Sequence, residues 1–391
     1  EISECLVGSE MCIRDRYIAG PFGAIFFGHI GDRKGRKVTM YASLLMMGIS
    51  TSIIGILPPA ASAGVGVVIV LQLMRLAQCF GRGGTWGGGI LMAYENVPEN
   101  KRSFYAAIPQ IGLPIGFGLS SILIAVPTLL LPEDIFFTWG WRIPFLAAII
   151  LTLIVIRQKG EMMETEDYKK AQAKLEAEEA EGKKHKVGFI PMVKGYWKTL
   201  LLGCGTRWVD GTFYNIFIVW ILSYCINCLG MPLIQTYIIT IIACIFKIPF
   251  TLFGGWCAQK LGNTRTFVIG ALASAVLSIP TLKVIELSKG NLAITIIGIV
   301  LGWSIAYNLI WAVISSLWSS YFETEVRYSG ISFVYHVPSF LVAGMVPTIC
   351  TLLINYGNGD TIYVGIYSTV VALISAACAL ALKARHDRGE K

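Results

Sequence analysis

Charge is what this sequence lacks most. Asp, Glu, Lys and Arg make up only 14% of the 391 residues, whereas hydrophobic residues make up 55% and the mean hydropathy is +0.65. A soluble domain carries nearly twice that charged fraction, roughly 25%. The shortage excludes a soluble globular protein. It predicts an all-α polytopic membrane protein, because the apolar runs are long enough for helices that satisfy their own backbone hydrogen bonds in lipid.

Residue types that build enzymatic and metal sites are few or scattered. The four histidines lie far apart and no H-E-x-x-H motif occurs, which argues against a membrane metalloenzyme. The ten cysteines lie mostly in apolar segments, and the C-x-x-C of Cys225 and Cys228 has no second ligand pair. The net charge of +8 resides in loops and tails beside apolar runs, so it does not indicate a nucleic-acid partner. We therefore expect no enzyme activity, no cofactor and no metal.

Apolar runs of membrane-spanning length are what the sequence has in abundance, with five before a polar segment and six after it. The predicted spans are Tyr17 to Ile30, Val38 to Leu57, Val65 to Tyr94, Ser103 to Leu131, Trp141 to Ile156, Thr199 to Leu229, Leu233 to Ala258, Thr266 to Glu286, Ala293 to Tyr321, Ile331 to Asn355 and Thr361 to Leu382. The predicted organisation is a helix bundle at 17–157, a charged cytoplasmic linker at 158–198, a second bundle at 199–382 and a tail at 383–391. The linker is rich in both charge signs and predicts an exposed helix with internal ion pairs.

The first sixteen residues do not fit this pattern. Glu10, Arg14, Asp15 and Arg16 would have to lie in lipid to complete the first span, and the segment is similar to a translated sequencing-adapter read-through. We interpret residues 1–16 as a foreign or disordered segment and exclude them from the fold.

Lys and Arg are concentrated in alternate loops. The loops at 33–37, 99–102, 157–198, 260–265 and 323–327, together with the tail, hold nearly all of them, and the opposite loops contain only Lys289. The positive-inside rule places the cation-rich loops and the C-terminus in the cytoplasm. Eleven spans then predict an external start, so a first helix is expected to be missing.

The most specific motif is the ten-residue loop GHIGDRKGRK from Gly28 to Lys37. Its glycines, at 28, 31 and 35, permit close helix approach and a sharp turn. Arg33 and Arg36 are two of its four cations, and Asp32 is its only acid. A lone carboxylate at a helix end suits a latch that holds a neighbouring helix N-terminus or an arginine. The alternative is a charged turn that only sets topology.

This loop resembles the signature loop of the major facilitator superfamily. The second half of the chain carries a degenerate copy of it, GWCAQKLGNTR. Four positions match at one offset: Gly255, Gln259, Lys260 and Gly262 against Gly28, Asp32, Arg33 and Gly35. Three further segments, Leu73 to Pro98, Trp139 to Phe145 and Phe322 to His336, are similar to the metabolite:proton symporter branch. The chain departs from that branch at Thr85, where a glutamate is usual, at Arg82, where an apolar residue is usual, and at Lys247, where an acid is common.

The resemblance implies the major facilitator fold, with two pseudo-symmetric helix bundles and 12 spans in the intact family. Eleven remain here, and the first is the missing one. It also implies a monomeric secondary transporter in the cytoplasmic membrane. The branch carries organic acids, shikimate-like compounds, betaine or proline by alternating access with proton symport.

Ionisable residues inside the predicted spans are the candidate site, because their cost in lipid must be offset by a partner, a cavity or a solute. Gln72, Arg75, Gln78, Arg82 and Thr85 are spaced to share one helix face. Arg75 and Arg82 lie two turns apart, about 10 Å, which suits the two ends of a small organic anion. Alternatively, Arg75 ties helices together through backbone carbonyls.

The second half contributes a further set of deep polar residues. Arg207, Asp210 and Tyr214 share a helix face, and Lys247 lies midway along the next span, where it could compete for Asp210. The alternative is a purely internal ion pair between Arg207 and Asp210. Gln110, Asn308, Trp311 and Tyr335 are candidate polar and aromatic walls, or packing residues.

Deep cations outnumber the deep acid, with Arg75, Arg82, Arg207 and Lys247 against Asp210. A low-dielectric cavity with this balance attracts anions, so we predict a mono- or dicarboxylate solute. Asp210 and His336 are the proton-coupling candidates, although neighbouring cations are expected to hold Asp210 ionised. A zwitterionic solute, a solute sensor and a nonfunctional fragment are the alternatives.

A glycine run in the third predicted span has no preceding strand and no following Lys-Ser/Thr, so it does not predict a phosphate loop. Gly83 with Gly87, and Gly84 with Gly88, form small-x-x-x-small pairs that predict close helix packing. Gly112 and Gly116 predict the same in the next span.

Overall fold

The computed structural model describes residues 19–58, 64–158, 164–180 and 189–390, and every regular element in these ranges is a helix. The predicted foreign segment at 1–16 lies outside the described residues. The helices in the first part of the chain are α1 at 19–34, α2 Arg36–Ile56, α3 Val65–Glu95, α4 Glu99–Leu130, α5 Glu133–Thr138, α6 Ile143–Arg157 and α7 Glu166–Ala180. Those in the second part are α8 Phe189–Tyr214, which continues to Asn227, α9 Leu233–Leu261, α10 Asn263–Leu287, α11 Leu292–Ser319, α12 Arg327–Leu341, α13 Val346–Tyr356 and α14 Ile362–Asp387.

The all-α membrane fold is confirmed. Within the described ranges, nine helices are long and apolar enough to cross a membrane. Two of the eleven predicted spans are not among them. One is α1, and the other is interrupted, because α12 ends at Leu341 and α13 begins at Val346. Pro338 lies inside α12 and Pro347 opens α13, and proline removes a helical N–H donor at each point. The count of eleven therefore stays a prediction, whereas the predicted linker helix is present as α7.

Two long helices contain π-helical segments, Asn215–Trp220 after α8 and Val300–Ala306 inside α11. They pack on each other where Gly302 faces Phe217. A Cβ at Gly302 would lie 2.3 Å from the Phe217 ring. Wider π turns often lie near functional sites because they redirect side chains. The segment in α11 contains Trp303 and is followed directly by Tyr307.

The chain divides into two compact units that do not follow the predicted halves. The first unit consists of Glu1–Asn96, Leu123–Lys194 and Phe322–Phe340, and the second of Val97–Ile122, Gly195–Tyr321 and Leu341–Lys391. Helix α12 thus packs with the first part of the chain, and the beginning of α4 with the second. The bundle boundaries at 157 and 199 remain a division of the sequence.

The glycines of α3 confirm the predicted close packing in the first unit. A Cβ at Gly83 would lie 2.3 Å from the backbone nitrogen of Ala24 in α1, and one at Gly84 would lie 2.6 Å from the Phe27 ring. A Cβ at Gly87 would lie 2.7 Å from the hydroxyl of Ser332 in α12. Glycine is required where backbones meet this closely. The corresponding prediction for Gly112 and Gly116 in α4 is wrong, because a Cβ at either position would meet no described atom within 4 Å.

We expect Gly83→Ala to lower the thermal unfolding midpoint of the purified protein, because the new methyl group would push against the α1 backbone. Overpacking of this kind costs about 1–3 kcal/mol. Gly89→Ala is the matched control on the same helix, since its Cβ would meet nothing within 4 Å. That control should be neutral or stabilising by up to about 1 kcal/mol, because alanine favours helix. Equal midpoints for the two variants would contradict the packing account.

Candidate functional site

The turn between α1 and α2 depends on Gly35, which has a φ of 101°. Residues other than glycine rarely adopt this backbone conformation, and a Cβ there would also lie 2.0 Å from the Glu164 carboxylate. The turn brings Asp32, at the end of α1, close to Arg36, at the start of α2. Both side chains are buried.

Asp32 caps the N-terminus of α12. Its Oδ1 accepts a hydrogen bond from the backbone nitrogen of Tyr328 and its Oδ2 one from that of Ser329, each at 3.1 Å. The positive end of the helix dipole favours a carboxylate here. Gly28 and Gly31 allow the approach, because a Cβ at Gly31 would lie 2.6 Å from the Tyr328 ring and one at Gly28 would lie 3.0 Å from the Ser329 Cα.

Arg36 connects this cap to two further charges. Its Nη1 lies 3.6 Å from Asp32 Oδ1, and its Nε lies 3.4 Å from Oε2 of Glu95, at the end of α3. Its guanidinium also donates to the carbonyls of Gly31 and Thr324, at 2.8 and 2.7 Å. Glu95 Oε1 in turn lies 3.0 Å from Nη1 of Arg327, the first residue of α12. The buried charges therefore alternate in sign along a continuous chain.

The linker closes over the same cluster. Glu164 Oε1 accepts from the backbone nitrogen of Arg36 at 2.9 Å, and the Thr165 hydroxyl donates to Glu95 at 2.7 Å. The Tyr168 hydroxyl donates to the carbonyl of Arg33 at 2.9 Å, and its ring lies 4.8 Å from the Arg36 guanidinium. We refer to Asp32, Arg36, Glu95, Glu164 and Arg327 as the latch cluster. Sequence reasoning found the first two members and missed the other three.

The degenerate copy of the loop makes a weaker contact of the same kind with a neighbouring helix in the second unit. Gln259 Oε1 accepts from the backbone nitrogen of Phe104 in α4 at 3.3 Å. A Cβ at Gly255 would lie 2.7 Å from the Cβ of Ala107, and Gly262 has a φ of 90°, as Gly35 has a positive φ. The copy thus keeps the geometry of the first loop and has lost its acid and most of its charge.

The polar stripe of α3 lies against α2 in the first unit. The amide nitrogen of Gln78 donates to the Thr51 hydroxyl at 2.7 Å, and the Thr85 hydroxyl donates to that of Ser43 at 3.1 Å. Arg75 and Arg82 are half-buried, and neither has an ion pair with any described residue.

The deep charges of the second unit take two different arrangements. Asp210 is paired with Arg207 and accepts a hydrogen bond from the Tyr307 hydroxyl. Lys247 is fully buried, donates to the Trp303 carbonyl at 3.4 Å and has its Nζ 4.3 Å from the ring centres of Trp303 and Tyr307. The described contacts of Asp210 thus do not include the predicted competitor, Lys247.

The remaining candidates form local contacts within each unit. Gln110 and Trp311 are bonded reciprocally, each donating from its side chain to the other's carbonyl, at 3.2 and 3.1 Å. Asn308 donates to the carbonyl of Lys247 at 2.8 Å. The Tyr214 ring lies 5.9 Å from that of Phe117. In the first unit, Tyr335 stacks on Trp86 at 3.9 Å and meets the edge of the buried His336 ring at 4.8 Å.

The candidate residues therefore fall into two groups. Those in the first unit are Arg75, Arg82, Tyr335 and His336. Those in the second unit are Gln110, Arg207, Asp210, Tyr214, Lys247, Asn308 and Trp311. Sequence reasoning missed Trp303 and Tyr307, although their spacing of four residues, repeated at Trp311, is a detectable signal of one aromatic helix face.

Burial raises the pKa of Asp32 from 3.8 to about 6, against the opposing effects of Arg36 and the hydrogen bonds from Ser329 and Tyr328. Because this pKa is raised, the contribution of the carboxyl to the free energy of unfolding is greatest below pH 3.8 and declines as the pH rises through about 6.

We expect an infrared pH titration of the wild type, minus that of Asp32→Asn, to show a carboxylic acid band that forms near pH 6. A midpoint at or below 4 would contradict the burial account.

Comparison with known proteins gives the family. The family model described as "Major Facilitator Superfamily" matches residues 16–344. The chain is 33% identical over 378 residues to the inner membrane metabolite transport protein YhjE of Escherichia coli K12, covering 95% of this chain and 83% of that protein. It is 30% identical over 374 residues to the shikimate transporter of the same organism, with 94% and 82% covered. The proline/betaine transporter of Salmonella typhimurium is 27% identical over 374 residues, with 95% and 74% covered.

Solved structures show the same fold. The proton:xylose symporter XylE has a TM-score of 0.73 at 17% identity, with 95% of this chain and 84% of that chain covered. The human organic anion transporter MFSD10 has a TM-score of 0.65 at 13% identity, with 95% and 83% covered. Together with the family match over most of its length, these similarities establish that the chain belongs to the Major Facilitator Superfamily.

Proposed function

We propose that this chain is a secondary active transporter that moves a small organic acid anion across the inner membrane by alternating access, with a proton as the coupling ion. The family and the metabolite and shikimate transporters among its relatives support transport of a small solute rather than enzymatic chemistry. The cation distribution in the loops supports a cytoplasmic C-terminus. Proton symport is proposed from the resemblance to the metabolite:proton branch, with Asp210 and His336 as the residues to test.

One observation carries the choice of an anion. Arg75, Arg82 and Lys247 lie in helices long enough to span the membrane, and none of them has a carboxylate partner among the described residues. Arg207 is different, since Asp210 neutralises it. An unneutralised cation in a low-dielectric region is costly, and an anionic solute offsets that cost. The two unneutralised guanidiniums of the first unit therefore favour a carboxylate and disfavour a cation.

The latch cluster supports the alternating-access part of the proposal. It ties α12 to the turn between α1 and α2 through a helix cap and alternating charges, and the linker segment from Glu164 covers it. Alternating access requires such contacts to break and re-form between states. We propose that the latch cluster stabilises one closed state.

A zwitterionic solute is the second candidate. The proline/betaine transporter is a relative at 27% identity, and aromatic clusters such as Trp303 with Tyr307 can hold a quaternary ammonium group. In this chain, however, the side chain of Lys247 already lies against those rings. A solute sensor and an inactive chain are distinguished from both by whether uptake occurs.

We expect proteoliposomes containing the 391-residue chain to accumulate labelled mono- or dicarboxylates faster than glycine betaine, choline or xylose. An inward proton gradient should raise the rate. Equal or faster uptake of the cation would contradict the argument from unpaired positive charge, and no uptake of any solute would favour a sensor or an inactive chain.

Arg82→Leu provides the matched test within that experiment. We expect it to reduce carboxylate uptake at least about 10-fold, because loss of a charge-assisted contact is worth roughly 1.5–3 kcal/mol. Arg265→Leu removes the same charge from an exposed position at the start of α10 and should leave uptake unchanged. Unchanged uptake in Arg82→Leu would return that residue to a structural role.

A separate variant tests the latch. We expect Asp32→Asn to speed amide hydrogen exchange at Tyr328 and Ser329, because the neutral amide offers one acceptor in place of two and loses the attraction to Arg36. Asp387→Asn, near the end of α14, is the control and should not alter exchange at the start of α12. Unaltered exchange in Asp32→Asn would exclude a latch role for the carboxylate.

A further inference from the structure

Lys247 is a fully buried cation surrounded by aromatic rings. It lies inside α9, its side chain has no exposed surface, and no carboxylate among the described residues pairs with it. Instead, its ammonium nitrogen lies 4.3 Å from the ring centres of Trp303 and Tyr307 and 6.0 Å from that of Trp311. We call these three rings of α11 the aromatic box.

The geometry of the aromatic box is that of a cation site. An ammonium within about 6 Å of a ring centre is attracted by the negative face of the ring, and the attraction grows when water is excluded. Apart from the rings, the ammonium has one hydrogen bond to a described residue, which goes to the Trp303 carbonyl at 3.4 Å. The indole N–H of Trp303 has no acceptor among the described residues, so this ring contributes its face and not a hydrogen bond.

Polar contacts that do not involve the ring faces hold the aromatic box in place. Trp311 is fixed by its reciprocal hydrogen bonds with Gln110, and Tyr307 by its hydroxyl contact with Asp210. Asn308 bonds to the backbone carbonyl of Lys247 and so fixes the register of α9 against α11. These contacts would persist if the lysine side chain were removed, which predicts a preformed space between the rings.

We propose that the aromatic box is a binding site for an organic ammonium group, and that Lys247 occupies it as a built-in ligand. The consequence for selectivity rests on the proposed function. A tethered ammonium denies the box to solutes that carry their own ammonium group, and it adds its positive charge to the field that attracts an anion. Lys247 is then a specificity-determining residue that separates transport of organic anions from transport of betaine-like solutes.

Lys247→Ala tests the site directly, because it removes three methylene groups and the ammonium, the same atoms that n-propylammonium supplies. The full chain is purified, and its thermal unfolding midpoint is measured in n-propylammonium chloride, in n-propanol with NaCl, and in sodium propionate. We expect n-propylammonium to raise the midpoint of Lys247→Ala by at least about 2 °C and to leave the wild type unchanged. By calorimetry, the variant should bind n-propylammonium at least about 10-fold more tightly than the wild type does.

The other two compounds and two further variants make the result specific. The alcohol has the same carbon stem without the charge, and propionate has the opposite charge. A rise that n-propanol reproduces would mean only that a cavity has been filled, and a rise in propionate that exceeds both the rise in n-propylammonium and the response of the wild type to propionate would mean an anion site. Either result overturns the proposal. Lys260 is exposed on the same helix, and Lys260→Ala should show no rise of the midpoint in n-propylammonium. Adding Trp303→Leu to Lys247→Ala should abolish the rise that Lys247→Ala shows.

If Lys247→Ala fails to fold in NaCl, it is expressed and purified with n-propylammonium present throughout. Recovery of folded protein with n-propylammonium but not with NaCl supports the proposal, and equal recovery or equal loss in the two salts overturns it. The assay measures binding and not transport. A failed uptake experiment would refute the proposed function without touching the aromatic box, and a failed response here would refute the aromatic box alone.

Discussion

The dominant constraint on this structure is the free energy of a charge that is removed from water. A charged side chain at the centre of a bilayer costs at least about 3 kcal/mol, and the cost is offset only by a partner of opposite charge, by dipoles or by a solute. The latch cluster offsets much of this cost by pairing, because Arg36, with no exposed surface, lies between Asp32 and Glu95, and Glu95 lies against Arg327. Removing Arg36 would leave Asp32 buried without a cationic partner among the described residues.

Charges elsewhere in the chain meet the same constraint in different ways, and the difference separates structural from functional roles. Asp210 and Arg207 neutralise each other. Lys247 is stabilised by aromatic rings, which lower the cost of its charge without cancelling it. Arg75 and Arg82 have no ion-pair partner among the described residues. We infer that Asp210 links α8 to α11 through the Tyr307 hydroxyl, whereas the uncancelled charges of Arg75 and Arg82 act on a solute.

Much of this could be predicted from the sequence where the signal is local. Hydropathy predicted most of the helices, and the glycines and lone acid of the first loop predicted a turn with a carboxylate suited to a helix N-terminus. The identity of that helix could not be predicted, because Tyr328 lies 296 residues away. Glu95 and Glu164 were missed because an acid at a helix end or in a charged linker normally indicates exposure to solvent. The aromatic box depends on the placement of α9 against α11, which no local pattern encodes.

The central claim is that the uncancelled guanidiniums of Arg75 and Arg82 contact an anionic solute. A cryo-electron microscopy structure in lipid nanodiscs, determined with a saturating dicarboxylate, tests it most directly. The account predicts density for the carboxylate within hydrogen-bonding distance, about 3 Å, of the Arg82 or Arg75 guanidinium. Density for the solute elsewhere, with both guanidiniums extended to lipid headgroups, would contradict it.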